Sequence, residues 1–308
     1  MIRGVLLLFI ILNGAGCQEK NMYDELPTGS IVAWGLDENG QVSHLPEGDD
    51  YVAVSAGNRH SLALRQNGSL ASWGYDSGGQ VSDTPEGNDF IAISAGHNFS
   101  LALRSNGIIE AWGWVDYQLK DVKPPIGNYK NISAGFHHAL VLHEDGNISA
   151  WGHDFGGELK LEQLHDTPSD NIYISISANR NHNLALSEDG KIYAWGRDLQ
   201  GSVKDTPIEN SFTAVEAGAR HSLALRKDST IAAWGWDMRS EVSNAPRKSG
   251  FVAIAAGYSH SLALHKDGRI FAWGWDRSNA GQTKDVPGGG KFIAISAGDF
   301  HNLAIKAQ

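Results

Sequence analysis

The chain has 308 residues, with 25 Lys+Arg against 35 Asp+Glu and a formal net charge of -10. That balance argues against a protein that works by neutralising nucleic-acid phosphates or by lying on anionic lipid. Hydrophobic residues make up 41%, enough for a packed core, and 36 Gly beside 9 Pro is turn-rich without being low-complexity, which excludes wholesale disorder. A single cysteine excludes an internal disulfide and a cysteine-built metal site.

Residues 1–17 read MIRGVLLLFIILNGAGC, with one basic residue, an apolar run from Val5 to Leu12, then small residues up to Cys17. The run is too short to span a bilayer and has the length of a signal-peptide core, so residues 1–16 are expected to be removed on export. Gly14, Ala15 and Gly16 before the chain's one cysteine resemble a lipoprotein cleavage box, which makes Cys17 the expected lipidation site and the membrane a partner only through that anchor. The alternative is an ordinary secretory signal cut near Ala15 or Gly16. Residues 17–29 are polar and read as a short tether.

From residue 30 to residue 308 the chain repeats. Trp-Gly pairs begin at Trp34, Trp73, Trp112, Trp151, Trp195, Trp234 and Trp273, at spacings of 39, 39, 39, 44, 39 and 39 residues. Between them recurs Ser55-Ala56-Gly57 followed by His60-Ser61-Leu62-Ala63-Leu64, with counterparts around Gly96, Gly135, Asn179, Gly218, Gly257 and Gly298. In the unit of residues 51–89, Tyr51 to Ser55, His60 to Arg65, Ser69 to Trp73 and a short piece at Gln80 to Ser82 are strand-like, separated by turn signals. About one short strand per ten residues, without helical periodicity, predicts an all-β fold, and a unit of about 40 residues predicts a propeller blade. The ends complete one another. Ser30 to Trp34 and Gly40 to Ser43 are the second half of a repeat, and Phe292 to Ile305 are a first half. The reading is a single seven-bladed β-propeller over residues 30–308 whose closing blade is shared by the N- and C-terminal segments. The extra residues around Glu162 to Asp166 and Pro287 to Lys291 become junction loops.

The consensus (F/Y)-x-A-I-S-A-G-x-x-H-S-L-A-L-x-x-(D/N)-G-x-I-x-A-W-G-x-D-x-x-G-Q resembles the regulator of chromosome condensation repeat, and it covers essentially all of residues 30–308. The resemblance implies a seven-bladed propeller. In style the short, nearly insertion-free repeats are similar to those of bacterial exported members, among them the propeller-type beta-lactamase inhibitor protein. The long insertion with which the nuclear exchange factor of this family wedges into its GTPase has no counterpart here, so nucleotide exchange and chromatin binding are not carried over.

Residues kept in every repeat are expected to serve the blade: the repeat Trp packing between sheets with its ring NH on a backbone carbonyl, and Ala-Gly letting inner strands converge. His60, His138, His182, His221, His260 and His301 share one position, with Phe99 in the seventh repeat. A ring of imidazoles invites a metal, but structural hydrogen bonding is the expectation, and no metal or cofactor is assigned. Asp37, Asp76, Asp154, Asp198, Asp237 and Asp276 suggest Asx-type turns closing a hairpin rather than a calcium loop.

Residues that change between repeats are expected to face a partner. After Trp-Gly stand Leu36, Tyr75, Trp114, His153, Arg197, Trp236 and Trp275; after Ala-Gly stand pairs that include Phe136, Arg220, Tyr258 and Phe300. Both loops project from one face. Six of the 11 arginines beyond Arg3, namely Arg59, Arg180, Arg197, Arg220, Arg239 and Arg277, lie in them, and Trp, Tyr, Phe and Arg dominate interface energetics. The expected partner-binding residues are Tyr75, Trp114, Phe136, Arg197, Arg220, Trp236, Tyr258, Trp275 and Phe300. The strongest arc is expected at Trp236, Tyr258, Trp275 and Phe300, with Tyr75, Trp114 and Phe136 as a second.

No nucleophile motif, phosphate-cradling loop or paired carboxylates stand apart from the repeat, so no catalytic residue is expected. The sequence reads as a monomeric, non-catalytic, exported protein-binding module with a single protein ligand and no nucleic acid; enzyme inhibition or surface scaffolding are forms such binding takes. The alternatives are a lectin-like propeller, which would repeat one polar pocket around the ring, and a metal-dependent enzyme built on His97, His137, His138 and His153. Four Asn-x-Ser sequons, at Asn67, Asn98, Asn131 and Asn147, bear on a glycosylating source alone.

Overall fold

The computed structural model describes residues 26–114, 127–152 and 166–308. The expected signal peptide, Cys17, His153, Asp154 and residues 162–165 of the junction loop lie outside these. Among the described residues 21 strands form, with one 3-10 turn at Arg277–Asn279. In the first complete unit they are Tyr51–Ala56, His60–Arg65 and Leu70–Gly74, paired antiparallel in that order. The second and third strands turn through Asn67-Gly68. There Gly68 adopts φ +81°, a left-handed conformation open to glycine, and Asn67 Oδ1 accepts the Ser69 amide at 2.9 Å.

Five such three-stranded sheets recur at residues 90–113, 129–152, 173–196, 212–235 and 251–274. The sixth sheet has six strands and divides in two: the unit of residues 51–74, and a closing unit made of Phe292–Ala297, His301–Ala307 and, from the other end of the chain, Gly29–Gly35. The ends pair over seven registers, from Gly29 opposite Ala307 to Gly35 opposite His301. The 21 strands therefore fall into seven three-stranded units closed by the chain ends. Each unit carries a β-bulge after the buried aromatic that opens it, as between Tyr51 and Ala53 or Phe251 and Ala253, and such bulges sharpen strand twist.

The expected fourth strand is corrected by the structure. Gln80 to Ser82, and its counterpart Gly40 to Ser43, are turns. The cause is the aspartate that stands two residues after Trp-Gly in six of the seven repeats: Asp76 Oδ1 accepts the amides of Val81 at 2.8 Å and Ser82 at 2.9 Å, which a strand would have needed for its ladder. Asp37, Asp198 and Asp237 do the same, so these aspartates cap a loop rather than close a hairpin.

The core is divided among the seams between neighbouring units. One cluster joins Leu62, Leu64, Phe90, Ala102 and Trp112 across the first seam, and another joins Trp34, Leu262, Leu264 and Phe292 across the last. Five repeat tryptophans donate the ring NH to a loop carbonyl of the preceding unit: Trp73 to Gln41 and Trp112 to Gln80, both 3.0 Å, Trp34 to Gln282 and Trp234 to Ser202, both 3.1 Å, and Trp273 to Glu241, 2.7 Å. Nearer the axis a Cβ on Gly57 would stand 2.5 Å from the Gly96 carbonyl oxygen, so these strands meet this closely only as glycine.

A polar ring crosses the same seams. Each repeat histidine bonds the residue just after the equivalent position of the next unit: His60 to Ser100 (2.9 Å), His138 to Asn183 (2.7 Å), His182 to Ser222 (2.7 Å), His221 to Ser261 (2.8 Å), His260 to Asn302 (2.6 Å) and His301 to Ser61 (2.8 Å). In the seventh seam Phe99 stands for histidine and Ala139, at the facing position, for its partner; both are buried. A polar pair has been exchanged for an apolar one.

Two outcomes test this architecture. Deleting residues 292–308 is expected to abolish cooperative unfolding in a calorimetric scan, because it removes two strands of the closing unit and bares Gly29–Gly35; a truncated protein that melts cooperatively would refute closure by the chain ends. In a double-mutant cycle, His221→Phe and Ser261→Ala alone should each destabilise by about 1–3 kcal/mol by stranding a buried polar group, and the pair together by less than their sum. Simple additivity in denaturant melts counts against the seam pairing.

Candidate functional site

The first loop of each unit, after Ala-Gly, and the second, after Trp-Gly, lie on one face and are tied by backbone. The amides of Tyr75, Trp114, Trp236 and Trp275 donate to the carbonyls of Arg59, Asn98, Arg220 and Ser259 at 2.8–3.1 Å, Arg197 donates to Asn181 at 2.7 Å, and Leu36 to Phe300 at 2.9 Å. Each second loop is thus fastened to the first loop of its own unit, and in the closing unit Leu36 is fastened to Phe300 from the other end of the chain.

On that face arginines and aromatic rings interleave from unit to unit. Arg220 lies 5.0 Å from the Trp236 ring centre and 5.9 Å from that of Tyr258 in the next unit; Arg239 lies 5.0 Å from Trp275; Arg277 lies 4.1 Å from Phe300. Tyr258 and Phe300 stand 5.7 Å apart. These are cation–π distances, and each stack holds a guanidinium plane in a fixed orientation. Arg180 reaches furthest, lying 4.3 Å from Phe136 and 5.8 Å from Tyr258, so Phe136 joins the same cluster. Phe136 also packs on His97 at 3.8 Å and His137 at 4.2 Å.

The structure therefore brings Phe136, Arg220, Trp236, Tyr258, Trp275 and Phe300 together. Trp114 stands apart, 60% exposed and against Gly78. Tyr75 is half-buried and makes no ring contact among the described residues, and Arg197 is exposed. Tyr75, Trp114 and Phe136 do not form a second stacked arc. Arg180, Arg239 and Arg277 lie in the cluster but outside the expected set; their signal is the loop class they share with Arg220.

At the axis the face opens into a pocket lined by the Ala-Gly segments with Asn58, His97, Phe136, Asn179 and Asp299. Asn58 Nδ2 meets His97 Nε2 at 2.9 Å, and the Asp299 carboxylate lies 3.8 Å from the same nitrogen. Burial pushes the Asp299 carboxyl up to about 6, against the pull of Arg180 and Arg277, and holds His97 down to about 3. Glu216, which replaces the serine of Ser55 and its counterparts, is pushed up to about 7 by burial while Ser177 Oγ sits 3.4 Å away. Among the described residues no group of three or more His, Cys, Asp or Glu side chains converges as a metal site.

The geometry defines a β-propeller with a structurally uniform ring and one variable loop face. The regulator of chromosome condensation (RCC1) repeat model matches residues 51–80, 129–158, 173–201 and 251–282. The chain thus carries RCC1-type repeats at those four places. No curated protein matches it in sequence. Solved structures share its fold. Prp20p from Saccharomyces cerevisiae, studied for its binding to Gsp1p and histones, is 20% identical with a TM-score of 0.72, covering 92% of this chain and 93% of its own. Human WBSCR16 is 15% identical with a TM-score of 0.73, covering 90% and 100%. The ectodomain of the Physcomitrella patens receptor kinase CR4 is 20% identical with a TM-score of 0.67, covering 81% and 68%.

Burial sets a pH dependence. The seam histidines His60, His182 and His260 are held down to about 4, and His221 and His301 to about 3. Between those values and the ordinary 6.5 the unfolded chain binds protons that the folded one refuses. Each histidine therefore removes about 1.4 kcal/mol of stability per pH unit on acidification through that window. Glu216 and Asp299, raised when folded, act the other way but are two against five. The Tm is expected to fall steadily from pH 6.5 to pH 4.5, and a Tm that rises over this range contradicts the assignment. Glu216→Ser should raise the Tm at pH 8 and gain less at pH 5.

Proposed function

We propose that this chain is a non-catalytic protein-binding module that docks one protein ligand on its loop face. The observation that carries the reading is the interleaved stack of Arg220, Arg239 and Arg277 with Trp236, Tyr258, Trp275 and Phe300, which spans successive units at positions the repeat leaves free to vary. Residues that served packing alone would be the same in each unit, as the buried tryptophans and opening aromatics are. Rigid aromatic anchors beside arginine are the side chains that contribute most to protein interfaces. That the similar propeller of Prp20p is described with binding to Gsp1p and histones supports a protein ligand, although neither partner is carried over.

On this reading residues 1–16 are a signal peptide, Cys17 is the lipidation site, and the propeller works outside the cytoplasm on a short tether, inhibiting an extracytoplasmic enzyme or serving as a scaffold. The test is capture from native envelope and culture-supernatant extract, with the protein and a Trp236→Ala, Tyr258→Ala, Trp275→Ala variant of matched thermal stability as baits. A protein retained by the wild type and lost by the variant is expected. Equal capture by both moves the working surface elsewhere, and capture of glycan in place of protein favours the lectin-like alternative.

A further inference from the structure

The arginines divide by location. Four at the hairpin turns and outer strands have carboxylate partners: Arg65 with Asp50 at 2.5 Å, Arg104 with Asp89 and Glu110, Arg226 with Glu209 at 3.3 Å, and Arg269 with Asp267 at 2.7 Å. On the loop face Arg220, Arg239 and Arg277 form no ion pair with any described carboxylate and are held on aromatic rings instead. Arg220 Nε is buried without a hydrogen-bond partner. Of the carboxylates nearby, Asp237 Oδ1 accepts two backbone amides, the buried Glu241 accepts the Arg239 amide at 2.8 Å, Asp276 accepts the Gly281 amide and meets Lys284 at 3.2 Å, and Asp299 lies within the pull of Arg180 and Arg277.

A chain with ten more acidic than basic residues thus pairs four of its outer arginines with carboxylates and stacks these three on rings along one arc, where Arg239 and Arg277 are exposed and Arg220 is half-buried. We infer that the segment docking on this arc is an acidic protein segment, its Asp or Glu carboxylates received by the forks of Arg220, Arg239 and Arg277 while its apolar atoms lie on Trp236, Tyr258, Trp275 and Phe300. The inference rests on the reading of this face as a protein-docking surface and adds the chemistry of the ligand. A guanidinium fixed by stacking offers two parallel N–H donors, which a carboxylate accepts bidentately. The arc interrupts its cations with large apolar rings, and the protein as a whole repels polyanions, so a peptide with mixed acidic and apolar side chains fits better than a nucleic-acid backbone.

The test is a fluorescence-anisotropy titration of the protein with three labelled probes: a Glu/Leu-rich peptide, its Gln/Leu counterpart and a single-stranded oligonucleotide of equal charge to the first. The acidic peptide is expected to bind, the Gln form at least about tenfold more weakly, and the oligonucleotide more weakly than the acidic peptide. Arg220→Lys, Arg239→Lys, Arg277→Lys keeps the charge but removes the fork, and should weaken the acidic peptide by about tenfold with the Tm held near the wild-type value. Undiminished binding by this variant overturns the fork geometry. Oligonucleotide binding as tight as that of the acidic peptide, or no peptide binding at all, overturns the carboxylate assignment. Using the same Lys variant as bait keeps the two readings separate. A protein captured equally by variant and wild type sustains docking on the propeller and defeats the acidic ligand. Peptide binding without any captured protein sustains the chemistry and defeats the proposed partner.

Discussion

The two chain ends form a backbone ladder, and the loop face exists because of it. Seven residues from Gly29 lie antiparallel to seven ending at Ala307, so the third strand of the closing unit comes from the opposite terminus to its first two. Without that ladder the unit of residues 251–274 and the unit of residues 51–74 would each present a bare seam, with Trp34 removed from Gln282 and His301 from Ser61. Phe300, which completes the stacked arc, sits on the loop between the two C-terminal strands and reaches Arg277 and Tyr258 because the ring is shut. Closure of a ring whose core is split into separate seams is what makes the seams cooperate.

The seams use three devices at three radii: glycine at the axis, a histidine hydrogen bond inside the sheets, and a tryptophan NH onto the loop of the preceding unit outside. Each seam histidine Nε2, which would destabilise an apolar seam if left alone, is offered a partner from the next unit. The exchange of histidine and its partner for Phe99 and Ala139 obeys the same rule, since removing both polar groups leaves none stranded, whereas removing one would. The ring of imidazoles is therefore an inter-unit fastener, and its spread over six seams holds the rings apart rather than gathering them on one ion.

Fold and closure were legible in the sequence because they are written seven times, in Trp-Gly, Ala-Gly and the half-repeats at each end. Two features were not. The segment Gln80-Val81-Ser82 has strand-like composition, yet Asp76 takes its amides, a choice decided by one side chain five residues upstream. The seam partners Asn183, Ser222, Ser261, Asn302 and Ser61 sit one residue after a histidine and Ser100 one residue after Phe99, but the histidine each bonds lies a whole repeat away. The co-substitution at Phe99 and Ala139 was the available signal. At the candidate site the residue types were legible and their grouping was not, because whether Arg180 reaches Tyr258 depends on the curvature of the ring and the length of one side chain.

Charge placement bears on how this face would meet a ligand. The net charge of -10 is an average over a surface on which the outer arginines are neutralised locally by Asp50, Asp89, Glu209 and Asp267. The loop-face arginines are not neutralised in that way; they stand on rings that supply quadrupole attraction without opposing charge. The arc thus sets three guanidinium groups without an ion pair to a described carboxylate on a chain of net charge -10. On the docking reading, the guanidinium groups of this arc are where an acidic ligand's carboxylates find partners, and the aromatic rings between the cations supply the contact that outlasts the encounter. Salt screens the first effect within about 10 Å and leaves the second largely intact, so charge and rings divide the work between the rate of arrival and the time of residence.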